Sequence, residues 1–278
     1  MIIHRVSHTT GKLQFEGMRF IYGEPALVIS DAESVWLVVG DIHIGAERRL
    51  GEKGIRVYEL WKNMSDKLTA LARAFSATGI IMLGDIKDSI MYPESWEQSD
   101  IKRFVKSLSE FEIRLVRGNH DSHIEEILGI KVIDEMLIGN YALLHGNKWP
   151  SEAAMQKSVI ITGHNHVAVR ITDENGGVFS EKAWLVAKGT KKKIREFYTS
   201  SNAESMVVMP AFNPLILGAS VGYERSDKDN INPLFRNGLF DYKNADIYSI
   251  GGMYMGKVRS FSSGDYEKKK KKDRKLNP

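Results

Sequence analysis

Five short stretches of this chain end in side chains that bind metals or move protons: Asp41-Ile42-His43, Gly84-Asp85-Ile86-Lys87-Asp88, Gly118-Asn119-His120-Asp121, His145-Gly146 and Gly163-His164-Asn165-His166. Carboxylate, imidazole and amide oxygen together form a donor set suited to Mn²⁺, Fe or Zn²⁺, whereas Mg²⁺ and Ca²⁺ prefer all-oxygen shells. His43, His120, His145, His164 and His166 account for five of the eight histidines, the others being His4, His8 and His123. Taken singly, each stretch reads as a turn with a hydrogen-bonded histidine. Their recurrence, each after an apolar run, points to one shared site.

The runs that precede them are VWLVVG (35–40), GIIMLG (79–84), EIRLVRG (112–118), YALLHG (141–146) and SVIITGH (158–164). Short, β-branched and bounded by glycine, they read as buried strands. Between the first two, Val57, Leu60, Trp61, Met64, Leu68, Leu71 and Phe75 keep the three-and-four spacing of one helix face, and Ile101, Phe104, Val105, Leu108 and Phe111 repeat it before the third. Strand–helix–strand alternation implies an α/β fold. The carboxyl ends of the strands in such a sheet line the crevice where ligands bind, so groups distant in sequence converge there. Further on, VAVRIT and VFSEKAWLVA flank DENGG, whose Asn175-Gly176 pair signals a hairpin, so the second half is expected to be more antiparallel.

Asp41/His43, Gly84-Asp85 with Asp88, Gly118-Asn119-His120-Asp121, His145 and Gly163-His164 with His166 resemble the five signatures of calcineurin-like metallophosphoesterases, over roughly residues 35–170. A narrower likeness, in VVGDIHIGAE, IIMLGDIKD and MVVMPAFNPLILG, is to archaeal phosphoesterases related to the exonuclease subunit SbcD. The resemblance implies a four-layer α/β/β/α sandwich with a binuclear metal site at the C-terminal ends of its strands. It also implies a metallophosphoesterase domain over 1–264, with the motif core at 35–170, a β-rich part at 171–264 and a basic tail at 265–278. In that scheme Asp41, His43 and His166 hold one ion, Asn119, His145 and His164 hold the other, and Asp85 bridges them. Mn²⁺ is favoured, with Fe, Zn²⁺ or Mg²⁺ as alternatives. Two ions about 3.5–4 Å apart lower the pKa of a shared water and clamp both the attacking and leaving oxygens, which implies in-line attack by metal-bound hydroxide. His120, next to a ligand but not one itself, would protonate the leaving oxygen. Asp88 would orient it; the alternative for Asp88 is a helix N-cap.

Departures from the family pattern narrow the reading. Ser89 stands where protein Ser/Thr phosphatases of this superfamily carry a phosphate-gripping arginine, which argues against a phosphoprotein substrate. Many relatives have His-Gly-His where this chain has His145-Gly146-Asn147, so Asn147 is a candidate substrate contact in place of a histidine. Lys191 and Lys192, in AKGTKKKIREFY (187–198), are candidate contacts to a phosphate backbone; the same stretch also reads as the exposed face of a strand and its turn. His123 reads as a solvated histidine opening a short helix, SHIEEIL. The expected function is a metal-dependent phosphodiesterase acting on nucleic acid or nucleotides. The alternatives are a phosphomonoesterase or cyclic-nucleotide phosphodiesterase with a small-molecule substrate, and a non-catalytic metal-binding scaffold. A full ligand set with an unliganded His120 speaks against the scaffold.

With 278 residues, 42% of them hydrophobic, the chain can bury a sizeable core. Its pI of about 9.0 suggests an acidic partner such as nucleic acid. The formal charge of +4 resides in the tail, however, where seven basic side chains face three acidic ones in DYEKKKKKDRKLNP; such an end is commonly solvated and disordered. The chain has no cysteine and no apolar run long enough to span a membrane, and its start is too short and polar for a signal peptide, so a soluble cytoplasmic protein without membrane contact is expected. Deleting residues 265–278 is expected to weaken DNA or RNA binding and flatten its salt dependence, measured by titration at several ionic strengths; unchanged binding would make the basic pI incidental.

Overall fold

The strand Val35–Val39 (β3) sets the architecture. Leu37 and Val39 are buried on one of its faces, Trp36 and Val38 on the other, and the two pairs belong to different cores. A strand apolar on both sides needs cover on both. Gly79–Leu83 (β4) repeats the pattern, with Ile80 and Met82 on one face and Ile81 and Leu83 on the other. The computed structural model describes residues 15–261 apart from 32, 52, 56, 58, 174, 219 and 222–229, so the basic tail at 265–278 lies outside the described residues.

The first sheet runs β1 (Met18–Phe20), β2 (Leu27–Ser30), β3, β4, β5 (Glu112–Val116), β6 (Val132–Ile133). β3 to β6 are parallel, and β1 and β2 join antiparallel at the edge. The second sheet is built from β7 (Glu135–Ile138), β8 (Tyr141–Leu144), β9 (Val159–Thr162), β11 (Val178–Lys188), β12 (Ser205–Val208), β13 (Asp246–Ser249) and β14 (Tyr254–Lys257), in the order β14-β13-β11-β12-β9-β8-β7. β10 (Ala168–Thr172) pairs with β11 across the hairpin at Asn175-Gly176. β8, β9 and β12 are mutually parallel, while β11 runs against β12.

Helices close both outer faces. Leu60–Ala74 (α2) and Ser95–Ser107 (α3) bury Met64, Leu68, Ile101 and Phe104 against the first sheet. Glu152–Met155 (α5), Lys191–Phe197 (α6) and Pro233–Arg236 (α7) pack Met155, Ile194 and Phe235 against the second. Arg48–Gly51 (α1) and Ile124–Leu128 (α4) are short connecting turns. Between the sheets, Trp36, Ile81, Leu83 and Val116 meet Leu143, Ile161, Val186 and Val207. The result is an α/β/β/α sandwich.

Two details differ from the sequence expectation. α2 begins at Leu60 rather than Val57, because Glu59 adopts a left-handed φ of 49° that stops the helix there. AKGTKKKIREFY is not a strand and its turn: β11 ends at Lys188, and a helix follows because Ile194 and Tyr198, four residues apart, both bury against the second sheet. No described helix is long and apolar enough to cross a membrane. Phe104, fully buried between α3 and the first sheet, is a sensitive probe of this packing. Phe104→Ala is expected to lower unfolding stability by about 3–5 kcal/mol, read from the urea midpoint.

Candidate metal centre

Parallel strands deliver their C-terminal ends to one edge. Asp41 and His43 follow β3, Asp85 follows β4, Asn119 and His120 follow β5, His145 follows β8, and His164 and His166 follow β9. Past the strand ends the backbone ladder between the first two loops continues, with Asp41 N donating to Gly84 O at 3.1 Å and His43 N to Asp85 O at 2.8 Å. Asp41, His43, Asp85, His164 and His166 all have positive φ, between 42° and 67°, making five of the eight such non-glycine residues among those described. Each such conformation costs about 1–3 kcal/mol and persists only where its surroundings enforce it. At Gly118 a Cβ would overlap the Asp85 carboxylate, so glycine there is a condition of the two loops meeting.

The side chains converge as two groups. Ligating atoms of Asp41, His43, Asp85 and His166 all lie within 4.8 Å of one another, as do those of Asp85, His145 and His164. Asp85 belongs to both. Asn119 joins the second group, its Oδ1 3.2 Å from His145 Nε2. The structure thus brings together all seven residues expected as ligands. His43 Nε2 and His166 Nε2 are 3.2 Å apart, His166 Nε2 is 3.0 Å from Asp41 Oδ1, and His145 Nε2 is 3.3 Å from Asp85 Oδ2. Four imidazoles and two carboxylates with their ligating atoms turned inward fit a divalent cation, and the mixed nitrogen–oxygen donors fit a transition metal. His145 Nδ1 lies 3.0 Å from the Leu83 carbonyl, which holds the ring with Nε2 toward Asp85.

Charge compensation explains the ionisation of the cluster. Asp41 and Asp85 are essentially inaccessible to solvent. Burial works to raise their pKa values, but the facing histidines outweigh it, chiefly His166 for Asp41 and His145 for Asp85, and both carboxyls sit below the usual range. Burial alone would lower His145; its hydrogen bond to Asp85 and the charges of Asp41 and Asp85 push it up to about 9. His164, desolvated and facing a charged His145, is pushed down to about 4 and is neutral at physiological pH, the form in which an imidazole can take a metal.

His120 is only partly buried, its side chain 21% exposed, and its Nε2 is 4.0 Å from Asp85 Oδ2. Its backbone N–H donates to Asp85 Oδ1 at 2.9 Å. Its Nδ1 meets Asp88, but through the main-chain carbonyl at 2.6 Å and not through the expected carboxylate. The Asp88 carboxylate instead faces His43 Nδ1 at 3.3 Å and the Arg49 guanidinium at 3.0 Å, which turns it away from His120. Nor is Asp88 a helix cap, since α3 opens seven residues later, at Ser95.

Several supporting residues hold the ligand loops; Asp121, inside the third motif, reads from the sequence as a brace for its loop, and the others are not evident from motif reading. Asp121 accepts from the backbone N–H groups of Asp85, Ile86 and Gly118, all at 2.8 Å, and ties two loops together. Glu97, on α3 and 3% exposed, accepts from Asp88 N and Ser89 N. Asn213, fully buried, donates from Nδ2 to the carbonyls of Ile42 and His43, so the AFNPL stretch clamps the first motif from behind. Buried Lys87 donates to the carbonyls of Ser89 and Met91. The signal available in the sequence was position alone: Lys87 and Asp121 lie inside the motifs.

Two expected substrate contacts are not part of the cluster. Lys188, at the end of β11, pairs with Ser205, which in turn pairs with Val159 at the start of β9. Lys191 and Lys192 therefore open α6 at the end of the second sheet opposite the ligands, because β11 runs antiparallel to β9. Asn147 is half-buried in the turn two residues beyond His145. His123 lies at the start of α4, 46% exposed and paired with Glu126.

A cation at His145 Nε2 must displace the proton that the nearby carboxylates stabilise there. Metal uptake at pH 7 is thus expected to release up to one proton from His145, and apparent affinity to rise as pH approaches about 9 and level off beyond it. Calorimetric titration of Mn²⁺ in two buffers of different ionisation enthalpy measures this; equal heats would exclude the exchange.

The family model described as calcineurin-like phosphoesterase matches residues 36–238. Among solved structures, a nuclease MPE from Pseudomonas putida superposes with a TM-score of 0.50 at 17% identity, covering 83% of this chain and 96% of that one. A phosphoesterase from E. coli, Yfce, gives a TM-score of 0.33 at 18% identity, covering 50% of this chain and 73% of its own. A search of curated proteins found no match. The matched span contains both ligand groups and all five motif loops, and on that ground the chain belongs to the calcineurin-like phosphoesterases and is a metal-dependent phosphoester hydrolase.

Proposed function

We propose that this chain is a phosphodiesterase with a binuclear metal centre, Mn²⁺ by preference, that hydrolyses nucleic acid or nucleotides. The observation that carries the reading is that Asp85 is shared by both ligand groups, with unliganded His120 beside it. Asp41, His43 and His166 would hold one ion, and Asn119, His145 and His164 the other. When bound, the pair supplies Lewis acidity and an activated water at a phosphate ester.

The rest of the work falls to the chain. Asp85 takes a backbone hydrogen bond from His120 and so fixes the distance between the centre and the acid. The Asp88 carbonyl holds His120 Nδ1, leaving Nε2 as the nitrogen that carries a proton toward the leaving oxygen. Asp121 and Asn213 keep the loops from spreading. The likeness of VVGDIHIGAE and MVVMPAFNPLILG to the SbcD-related phosphoesterases, and the nuclease among the superposable structures, support a diester in a polynucleotide over a monoester.

With Mn²⁺ the protein is expected to hydrolyse bis-p-nitrophenyl phosphate. His120→Ala is expected to keep its metal content while losing about 10²–10⁴ in kcat, the usual contribution of a positioned acid. Full activity in that variant would remove the general-acid role, cleavage confined to p-nitrophenyl phosphate would favour a monoesterase, and metal without turnover on any ester would favour a scaffold.

A further inference from the structure

Immediately after Asp88 the chain presents three large apolar side chains to solvent: Ile90, Met91 and Tyr92 are 62%, 78% and 55% exposed. Consecutive exposed apolar residues are unfavourable on a soluble surface unless something covers them. Their backbone, by contrast, is firmly held. Lys87, buried in full, donates to the carbonyls of Ser89 and, at 2.9 Å, of Met91, and Ser122 Oγ donates to Ile90 O at 2.6 Å. A buried ammonium is sustained only where hydrogen bonds replace its hydration, so this lysine is committed to the shape of the loop. The backbone of the loop is held while its apolar side chains face solvent, the arrangement of a preformed contact surface.

Its position suggests what it contacts. The loop starts at the Asp88 carbonyl that holds His120 Nδ1 and is tied to Ser122, two residues beyond His120. Tyr92 lies edge-on to His123, ring centres 5.2 Å apart. A group bonded to the oxygen that His120 protonates must lie beside His120, next to this lip. From Ser89 to Pro93 no side chain is charged, so the lip has no cation for a phosphate and offers an apolar, aromatic face to an uncharged planar group.

We infer that Ile90, Met91 and Tyr92 form a leaving-group subsite that accepts the nucleobase on the leaving side of a scissile phosphodiester, with Tyr92 and His123 as its aromatic edge. The inference rests on the phosphodiesterase reading given above and assigns it a substrate class: diesters whose leaving alcohol is a nucleoside.

The test uses the full chain and two single-stranded dinucleotides, identical except that the leaving nucleoside carries adenine in one and is abasic in the other. The wild-type protein with Mn²⁺ is expected to prefer the adenine substrate by about tenfold in kcat/KM, within the range of one base–aromatic stack, with the difference in KM. The same preference is expected in equilibrium binding with EDTA present, where no hydrolysis occurs. Tyr92→Ala, and separately Met91→Ser, should shrink both preferences to under about threefold. Equal treatment of the two dinucleotides by the wild type, or an undiminished preference in Tyr92→Ala, overturns the subsite. If neither dinucleotide is hydrolysed but the binding preference exists and is lost in Tyr92→Ala, the diesterase reading fails and the base contact stands. Absence of the preference together with a dimer that Met91→Ser dissociates in sedimentation would make the lip a contact between copies and overturn the subsite.

Discussion

Two buried carboxylates at the ends of neighbouring parallel strands impose the main constraint on this structure. Asp41 and Asp85 have lost their hydration, and an uncompensated carboxylate in such a setting would protonate or unfold its surroundings. The surrounding features supply that compensation. His166 and His145 supply opposing charge, and His120 and His164 donate backbone N–H groups. A cation satisfies the same demand with fewer protons. The metal-binding property is thus a consequence of where the fold places negative charge, and the imidazoles titrate according to that field.

The expected strands and ligands were legible because both signals are local. Five apolar runs fall on β3, β4, β5, β8 and β9, and a ligand after each is a statement about sequence neighbours. β1, β2, β13 and β14 lie at or next to sheet edges, and the crossed order of the second sheet depends on pairings that no local pattern records. The misplacement of Lys191 and Lys192 has the same origin: five basic residues near an aromatic pair look the same whether β11 runs with β9 or against it. Antiparallel pairing alone sends them to the far end.

Within the site, what escaped sequence reading is which atom of a residue is used. Asp88 was expected beside His120 and is there, yet its carbonyl makes the contact while its carboxylate answers to His43 and Arg49. Lys87, Glu97 and Asn213 share this character, since each of them bonds to main-chain groups of a ligand loop. Partners of this kind carry no side-chain signature, so they become visible only once burial and loop geometry are known. Asn213 in particular binds the carbonyl of His43, one of the five left-handed positions among the candidate ligands.

Each of the two groups draws on both sheets: Asp41, His43, Asp85 and Asn119 follow strands of the first, and His145, His164 and His166 follow strands of the second. The spacing across the centre consequently depends on how the sheets pack along the apolar seam of Trp36, Ile81, Leu83, Leu143, Ile161 and Val207. That seam acts as a caliper. A change of side-chain volume there would shift one sheet against the other and alter the spacing within both groups of candidate ligands at once, so the size of cation they suit depends on the hydrophobic interior as well as on the polar side chains.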